Sequence, residues 1–187
     1  MYGRKVVNPI ENKQTNDILL TFTILYDTRE IDTEQLRQRL QSFGCPATRQ
    51  KLDFGDYSAV CTMPDGSLFS LADKCVVERK MSLDELASCF TSDRKRFTHE
   101  FERAQNAGSK TYLLVEKGSW EKAYGGMYRS KMTANSMIAS MTTWLARYDC
   151  QLVFCQPMTS GKLIHDILYR EMKEHLLSLP TEDEHAQ

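Results

Sequence analysis

Apolar residues recur along the chain with two spacings, which separate the predicted strands from the predicted helices. Short segments rich in β-branched, aromatic and aliphatic residues predict strands at residues 21–27, 47–52, 55–62, 68–72, 75–80, 111–116 and 151–155. Apolar residues at intervals of three and four predict helices at residues 32–43, 82–90, 92–107, 133–148 and 163–177. Because strands come first and then alternate with helices, we expect an α/β fold with a mixed β-sheet and helices on both of its faces.

Three remaining stretches show no clear period. Residues 1–20 are predicted to be an N-terminal tail and residues 180–187 a C-terminal tail. Residues 118–131, which include two consecutive glycines, are predicted to be a loop or a broken helix over the surface. The pattern therefore predicts a single domain over residues 21–179.

The strand predicted at residues 75–80 carries charged side chains at the centre of the pattern. If it ends at Lys80, the two-residue alternation of a strand places Glu78 and Lys80 on one face and Val77 and Arg79 on the other. Charged side chains in a central strand are costly unless they are paired. This segment is therefore the first candidate for a functional site.

Polar residues also predict where two helices begin. Ser82-Leu83-Asp84-Glu85 has the form of a capping box, so Ser82 is predicted to be an N-cap and Asp84 to lie in the first helical turn, just beyond the charged strand. Asp32, with Gln35 three residues later, is predicted to cap the first helix.

An acidic residue upstream completes a candidate metal site. Asp56 lies one predicted hairpin before Glu78 and Lys80, so the two strands that carry these residues are expected to be neighbours. Two carboxylates can hold Mg²⁺ and leave positions for water and a phosphate oxygen. The metal then polarises the phosphate, while a lysine orients the attacking water and offsets developing charge. This arrangement is typical of a metal-dependent phosphodiesterase.

Composition and charge narrow the class of protein only slightly. The 24 Lys and Arg residues are balanced by 25 Asp and Glu, so the chain lacks the strongly basic character of a non-specific nucleic-acid binder, although DNA as a substrate stays open. Six cysteines show no zinc-binding spacing, and the chain has neither a long apolar run nor a secretory leader. We therefore expect a cytoplasmic protein without disulfides, associated with the nucleoid when it acts.

Three motif blocks resemble a known family. Gly55-Asp56-Tyr57 and Glu78-Arg79-Lys80, with Asp84 four residues after the lysine, are similar to the G-D…E-R-K-x-x-x-D motif of the XPF/Mus81-type ERCC4 nuclease domain, within the PD-(D/E)xK superfamily. Asp27-Thr28-Arg29-Glu30 is similar to the D-x-R-E of the same family. The resemblance implies a restriction-endonuclease-like fold, dependence on Mg²⁺ or Mn²⁺, and cleavage of one strand near a branch in DNA.

The resemblance also implies roles for matching residues. It implies that Asp56 and Glu78 bind the metal and that Asp27 and Asp84 are acids at the metal site. It further implies that Lys80 positions the attacking water and that Arg79 is the arginine of the catalytic triplet. An alternative for the arginine is a structural ion pair with Glu30 or Asp84. No helix-hairpin-helix pattern follows Pro180, so we expect a stand-alone nuclease domain of the kind found in bacteria and their viruses. The resemblance further implies that the domain can form a homodimer.

Basic residues outside the motifs are candidates for DNA binding. They form two groups, Arg94, Lys95 and Arg96 at the start of a helix, and Lys117, Lys122, Arg129 and Lys131 around the glycine loop. Lysine and arginine supply the sequence-independent part of DNA affinity. The alternative for both groups is an ordinary solvated surface.

Three functions remain open at this point. The first is a metal-dependent endonuclease that hydrolyses branched, flapped or forked DNA. The second is a catalytically silent scaffold of the same fold that binds DNA or a partner. The third is a nuclease that cuts plain duplex DNA. The presence of Asp56, Glu78, Lys80 and Asp84 favours catalysis over the silent scaffold.

Overall fold

A computed structural model describes residues 9–179, with side chains from residue 13 onward. The strands within this range are β1 (Thr23–Tyr26), β2 (Ala47–Arg49), β3 (Tyr57–Thr62), β4 (Leu68–Ser70), β5 (Cys75–Lys80), β6 (Lys110–Glu116) and β7 (Gln151–Cys155). The helices are α1 (Pro9–Leu19), α2 (Glu34–Ser42), α3 (Leu83–Phe90), α4 (Arg94–Asn106), α5 (Trp120–Tyr124), α6 (Ala134–Tyr148) and α7 (Pro157–Leu177).

All the strands join one mixed sheet. Its order is β2-β1-β3-β5-β6-β7. β4 stands outside this order and pairs with Val60–Thr62 of β3. β3 runs antiparallel to β1 and β5, whereas β5, β6 and β7 are parallel to one another. The predicted mixed sheet is confirmed, and β5 lies where its antiparallel and parallel parts meet.

Helices cover both faces of the sheet, as the order of elements predicted. On one face, buried residues of α1 and α7 pack with apolar residues of β1, β3 and β5. On the other face, α3, α4 and α6 enclose a second apolar cluster around Trp144, which is fully buried. Because both faces are covered, any polar side chain on a central strand must find partners inside the protein or open into a cleft.

β5 follows the predicted alternation to its last residue. Val77 packs into the cluster on the α7 side, and Val76 packs against Phe54 and Ala104 on the α4 side. Glu78 and Lys80 are only 2% and 8% exposed. The strand therefore carries a carboxylate and an ammonium into the α3 and α4 layer.

A left-handed glycine sets the entry to β3. Gly55 has a φ of +70°, and a Cβ at this position would lie 2.7 Å from Cβ of Val76. Glycine relieves both constraints, since it tolerates positive φ and has no side chain. The tight approach brings Asp56 directly beside β5, where its N–H donates to the carbonyl of Val77 at 2.9 Å.

Several predicted boundaries were wrong. Residues 9–19 form α1 rather than a tail, because Ile18 and Leu19 are buried against α7 and the sheet. The helix predicted from residue 163 begins at Pro157, whose ring fits the first helical position. Residues 1–8 and the tail predicted at 180–187 lie outside the described residues.

The two predicted helix caps had opposite outcomes. Ser82 caps α3 as predicted, accepting the N–H of Glu85 at 3.3 Å. At α2 the cap is Thr33, which accepts the N–H of Leu36 at 3.2 Å, rather than Asp32. Asp32 instead forms an exposed ion pair within its own segment. In the part of the chain from Pro9 to Leu179, no helix has the length and hydrophobicity needed to cross a membrane.

Candidate active site

A cleft of about 1260 Å³ opens where β5 and β6 end. Asp56, Glu78 and Lys80 all line it, as the alternation of β5 and the hairpin before it predicted. Its other charged lining residues are Arg29, Glu30, Arg39, Arg79, Glu85, Arg96, Glu100, Glu116 and Lys117. Strand ends thus gather acidic and basic side chains at one solvent-reachable place.

Glu78 and Lys80 are in direct contact within this cleft. The ammonium of Lys80 donates to Oε1 of Glu78 and lies 5.3 Å from the ring centroid of Phe97. The second oxygen, Oε2 of Glu78, is buried and has no hydrogen-bond partner among the described residues. A buried carboxylate oxygen without a donor is costly. The position of Oε2 is therefore one that a cation would stabilise.

Asp56 is held beside Glu78 by the backbone of β5. Its Oδ2 accepts the N–H of Arg79 at 2.8 Å, and its carbonyl accepts the N–H of Asp27 at 2.9 Å. These bonds connect the aspartate to β1 and to the charged strand at once. Its orientation is therefore fixed by the sheet.

The electrostatics of the pair reflect two acids in a confined place. Burial, and then the neighbouring Asp56 carboxylate, raise the pKa of Glu78 well above its ordinary value, against the opposing charge of Lys80. Burial opposes the charge on Lys80, but Glu78 and Asp56 outweigh it and raise the pKa of the lysine. Lys80 therefore stays protonated, and its one positive charge faces the two carboxyl groups of Asp56 and Glu78.

Asp56 and Glu78 fit a divalent cation in the chemistry of their donors. Both present carboxylate oxygens to the cleft, and Oε2 of Glu78 has no donor. Hard cations such as Mg²⁺ prefer oxygen ligands and keep part of their water. Across residues 9–179, no three His, Cys, Asp or Glu side chains converge as a metal-binding group. Among these residues, Asp27 and Asp84 do not join Asp56 and Glu78 in one group, and the larger acidic site stays a prediction.

Asp27 lies behind the cleft rather than in it. Its Oδ1 accepts from the backbone N–H and the Nε of Arg29, at 2.8 and 2.5 Å, and its Oδ2 accepts the N–H of Leu52 at 2.6 Å. Burial opposes its charge, but these bonds outweigh burial and lower the pKa of Asp27. The contacts thus give Asp27 the task of holding Arg29, which reaches the carbonyl of Gly55 at 3.1 Å.

Asp84 faces a different part of the surface. Its Oδ1 accepts the N–H groups of Arg129 and Ser130 at 2.6 and 2.9 Å, and its Oδ2 lies 3.4 Å from Nε of Arg129. It lines a second cavity of about 270 Å³ and not the large cleft. Its position in the first turn of α3 is as predicted, but its contacts fasten the glycine loop.

Arg79 forms a structural ion pair, with a partner that the sequence did not indicate. Its guanidinium donates to both oxygens of Glu116 at 2.8 and 2.9 Å, rather than to Glu30 or Asp84. Arg39 lies 3.8 Å from the same carboxylate and donates to the hydroxyl of Tyr57 at 2.8 Å. This buried network supports the α7 side of β5.

Four of the seven predicted DNA-binding residues line a cavity and three do not. Arg96 and Lys117 line the large cleft, and Lys117 also lines the second cavity with Lys122 and Arg129. Arg94, Lys95 and Lys131 line neither. Arg94 folds back over Trp144, with its guanidinium carbon 5.5 Å from the ring. Residues two apart on a helix point to nearly opposite sides, which separates Arg94 from Arg96.

Sequence reasoning missed one acid of the cleft. Glu100, on α4, accepts the N–H of Gly55 at 3.1 Å and lies 3.5 Å from Nη2 of Arg29. Its position between Phe97 and Phe101 on the buried face of α4 was the available signal, because a lone acid on an apolar face needs a partner. Glu116, the last residue of a buried strand, carried a similar signal.

Comparison with known proteins agrees with this fold. Among the solved structures that match are XPF from Aeropyrum pernix (21% identity, TM-score 0.57, covering 80% of this chain and 61% of that chain) and XPF from Aeropyrum pernix in complex with DNA (22% identity, TM-score 0.56, covering 86% of this chain and 68% of that chain). At this identity the likeness establishes the fold alone. No curated protein matches the chain. The sequence model of the ERCC4 domain matches residues 26–167, well over half of the chain, so this protein belongs to the ERCC4 domain family.

Proposed function

We propose that the chain is a divalent-metal-dependent endonuclease that hydrolyses phosphodiester bonds in branched, flapped or forked DNA. The observation that carries the proposal is the grouping of Asp56, Glu78 and Lys80 in one cleft, with an oxygen of Glu78 left without a donor. Membership of the ERCC4 domain family and a fold shared with an XPF bound to DNA support it.

The chemistry of each side chain in the cleft suggests its role in the proposed reaction. Asp56 and Glu78 would hold the metal, and a bound Mg²⁺ or Mn²⁺ supplies the positive charge that polarises the phosphate and lowers the pKa of a water. Lys80 is protonated, so its ammonium donates hydrogen bonds to water or phosphate oxygen and offsets negative charge in the transition state. Arg29 and Arg96, on the cleft wall, provide charge for the flanking phosphates.

Charge balance explains why metal and DNA should bind together. The acid pair repels phosphate as long as it is uncompensated, and a divalent cation cancels that repulsion. We therefore expect the DNA affinity to rise when Mg²⁺ or non-cleaving Ca²⁺ is added. Fluorescence anisotropy of a labelled flap with and without Ca²⁺ measures this rise, and an affinity independent of Ca²⁺ would contradict the metal site.

The decisive experiment measures cleavage and metal binding in parallel. Labelled flap, fork, Holliday junction, duplex and single-stranded DNA are incubated with Mg²⁺, Mn²⁺ or EDTA, and Mn²⁺ binding is measured by calorimetry. Wild type should cut a branched substrate only with metal. Asp56→Asn and Glu78→Gln should lose both cleavage and at least about tenfold in Mn²⁺ affinity, whereas Glu102→Gln, an exposed glutamate on α4, should lose neither.

The remaining outcomes identify the other candidate functions. Equal cutting of intact duplex and branched DNA would establish a plain-duplex nuclease. Tight DNA binding without cleavage by any metal would establish a silent scaffold. Cleavage that persists in Glu78→Gln preparations would identify a contaminating nuclease. Light scattering of the same preparations, with and without DNA, tests the proposed homodimer.

A further inference from the structure

The contacts of Asp84 organise a second binding surface next to the cleft. Two backbone N–H groups of the loop after α5 converge on one of its oxygens, at 2.6 and 2.9 Å. The other oxygen lies 3.4 Å from Nε of Arg129, whose side chain is 94% exposed. Asp84 thus fixes the path of the loop and leaves the end of Arg129 turned towards solvent.

The cavity beside this loop combines positive charge with an apolar lining. Lys117, Lys122 and Arg129 contribute cations, and the single carboxylate in the lining, that of Asp84, is already engaged by the loop. Met81 and Met127 contribute apolar surface and are 54% and 68% exposed, which is high for such side chains. Charged and apolar groups therefore face the same small volume.

The second cavity adjoins the catalytic cleft. Met81 and Lys117 line both of them, and Met81 directly follows Lys80 in the sequence. Lys117 has a left-handed backbone, with φ of +58°, and its carbonyl accepts from Nζ of Lys122 at 2.8 Å. A non-glycine residue in this region is uncommon and marks a constrained turn. The turn at Lys117 holds the two lysines together at the boundary between the cavities.

This combination of groups favours an unpaired nucleotide over the outside of a duplex. Along an intact duplex the phosphates face outward and the base faces are stacked on one another, so exposed methionines gain little unless the duplex is unstacked. An unpaired nucleotide offers phosphate and an apolar base face together, and apolar side chains are known to contact such faces.

We propose that the second cavity binds an unpaired nucleotide of the DNA substrate next to the cleavage site, and that Asp84 is a positioning residue that holds the wall of this cavity. The proposal rests on the proposed nuclease function and assigns the preference for branched DNA to a place on the protein. It also gives Asp84 a task outside the metal site. Branched substrates would bind in both cavities, whereas a blunt duplex would bind in one.

Binding experiments without cleavage separate this proposal from the nuclease activity. The probes are a labelled blunt duplex and the same duplex with a short single-stranded extension at either end, measured by anisotropy in Ca²⁺. Met127→Ala should weaken binding of an extended duplex by about fivefold or more and leave the blunt duplex within about twofold. Leu68→Ala removes an equally exposed apolar side chain from β4 and should change neither.

Asp84 is tested by the same probes together with metal binding. Asp84→Ala should lower the affinity for the extended duplex as Met127→Ala does, while Mn²⁺ affinity measured by calorimetry stays within about twofold of wild type. Arg129→Gln keeps the backbone bonds of the loop and removes one cation, so it provides a second reading if the Asp84 variant folds poorly. Thermal unfolding of each variant confirms that it is folded.

Three results would overturn the proposal. They are an equal loss of affinity for blunt and extended duplex in Met127→Ala, no loss for either, and a loss of Mn²⁺ binding in Asp84→Ala. None of these depends on whether the wild type cleaves DNA. Failure of the nuclease proposal would instead appear as an absence of metal-dependent cleavage in the wild type.

Discussion

Glu116 lies between two arginines and compensates the charge of both. It is 3% exposed and accepts from Arg79 through both oxygens, with Arg39 at 3.8 Å. A buried ion pair of this kind adds little net stability, but removing one partner leaves an uncompensated charge inside the protein. The residue therefore controls whether the end of β5 can keep its arginine buried.

Replacing Glu116 by alanine should destabilise the protein by about 3–5 kcal/mol, because Arg79 is left buried without its partner. Urea denaturation monitored by tryptophan fluorescence measures the change. Glu102→Ala, at an exposed position of α4, is the matched control and should shift the free energy of unfolding by less than about 0.5 kcal/mol. Similar values for the two variants would show that the arginines find other partners.

The pH dependence of stability should also reflect Glu116. Burial opposes its charge, but hydrogen bonds from Arg79 and the charges of Arg79 and Arg39 outweigh burial and lower the pKa of Glu116. A lowered folded-state pKa stabilises the protein above the unfolded value, about 4.3, and this stabilisation is lost as the pH falls through the folded-state pKa. The free energy of unfolding of wild type should therefore decrease below about pH 4.

Glu116→Gln isolates this contribution from those of other acids. Glu171, whose pKa is also lowered, titrates in both proteins and cancels in the comparison. The difference in unfolding free energy between wild type and Glu116→Gln should be largest near pH 6 and should shrink towards pH 3. A difference that is constant across this range would mean that the glutamate does not titrate with the pair.

At the scale of residues, strand alternation was enough to predict that Glu78 and Lys80 lie in the same cleft. Glu78 and Lys80 share a face because side chains on a strand alternate, whatever the rest of the fold. The partner of Arg79 could not be predicted in this way. Glu116 lies 37 residues later, and only the parallel pairing of β5 with β6 brings it beside Arg79.

At the scale of elements, α2 and α7 pack closely against each other at Gly161. A Cβ at Gly161 would lie 1.9 Å from Oγ of Ser42 and 2.7 Å from the carbonyl oxygen of Arg39. Inside a helix, replacing glycine by alanine ordinarily stabilises by about 1 kcal/mol. Here the two helices have no room for a methyl group.

Gly161→Ala should therefore destabilise the protein by about 1–3 kcal/mol, the usual effect of overpacking. The melting temperature and urea denaturation both measure this change. In the Ser42→Ala background the side-chain clash is removed while the clash with the Arg39 carbonyl remains, so the loss should become smaller without disappearing. A stabilising effect of Gly161→Ala in wild type would show that the helices separate without cost.

Elements with their own periodicity were predicted well, and elements defined by packing were not. α6 was predicted at its observed position because its apolar residues repeat without interruption. α1 was missed because its few apolar residues give no clear period, and it becomes a helix by packing Ile18 and Leu19 against α7 and the sheet. Pro157 was the available signal for the early start of α7.

At the scale of the whole molecule, the proposed binding of DNA requires a nearly neutral chain to concentrate its positive charge in one place. Arg96 lines the cleft and its side chain is 80% exposed, whereas Arg94 folds over Trp144. Each phosphate contact contributes about −0.9 to the slope of log K against log salt on duplex DNA. The two arginines should therefore differ in this slope, although they are two residues apart.

Arg96→Ala should reduce the slope by about one unit and weaken binding to all DNA shapes alike. Arg94→Ala is its matched control and should leave the slope unchanged while lowering stability slightly, through its lost contact with Trp144. The measurement is a salt titration of anisotropy with Ca²⁺ present. An equal slope for wild type and Arg96→Ala would place the path of the DNA on another wall of the cleft.

The fold class and the main motifs could be predicted from the sequence because each depends on local pattern. Which of the seven predicted basic residues line a cavity could not be predicted, because it depends on how α4 and the glycine loop are placed against the sheet. The contacts of the motif acids Asp27 and Asp84 could not be predicted from the sequence either. Their spacing matches the family pattern, but their hydrogen bonds hold Arg29 and the glycine loop in place.

The parallel pairing of β5 with β6 also affects the order in which the parts of the chain fold. Asp56, Glu78 and Lys80 lie early in the chain, on β5 and just before β3, but Arg79 lacks its hydrogen-bonded partner until Glu116 has been synthesised and β6 has added beside β5. Loop closure across residues 81–109 precedes that pairing, and such non-local steps are slow. A fragment cut after the motif would keep Asp56, Glu78 and Lys80 but would lack Glu116, so we expect it not to fold without the second half of the chain.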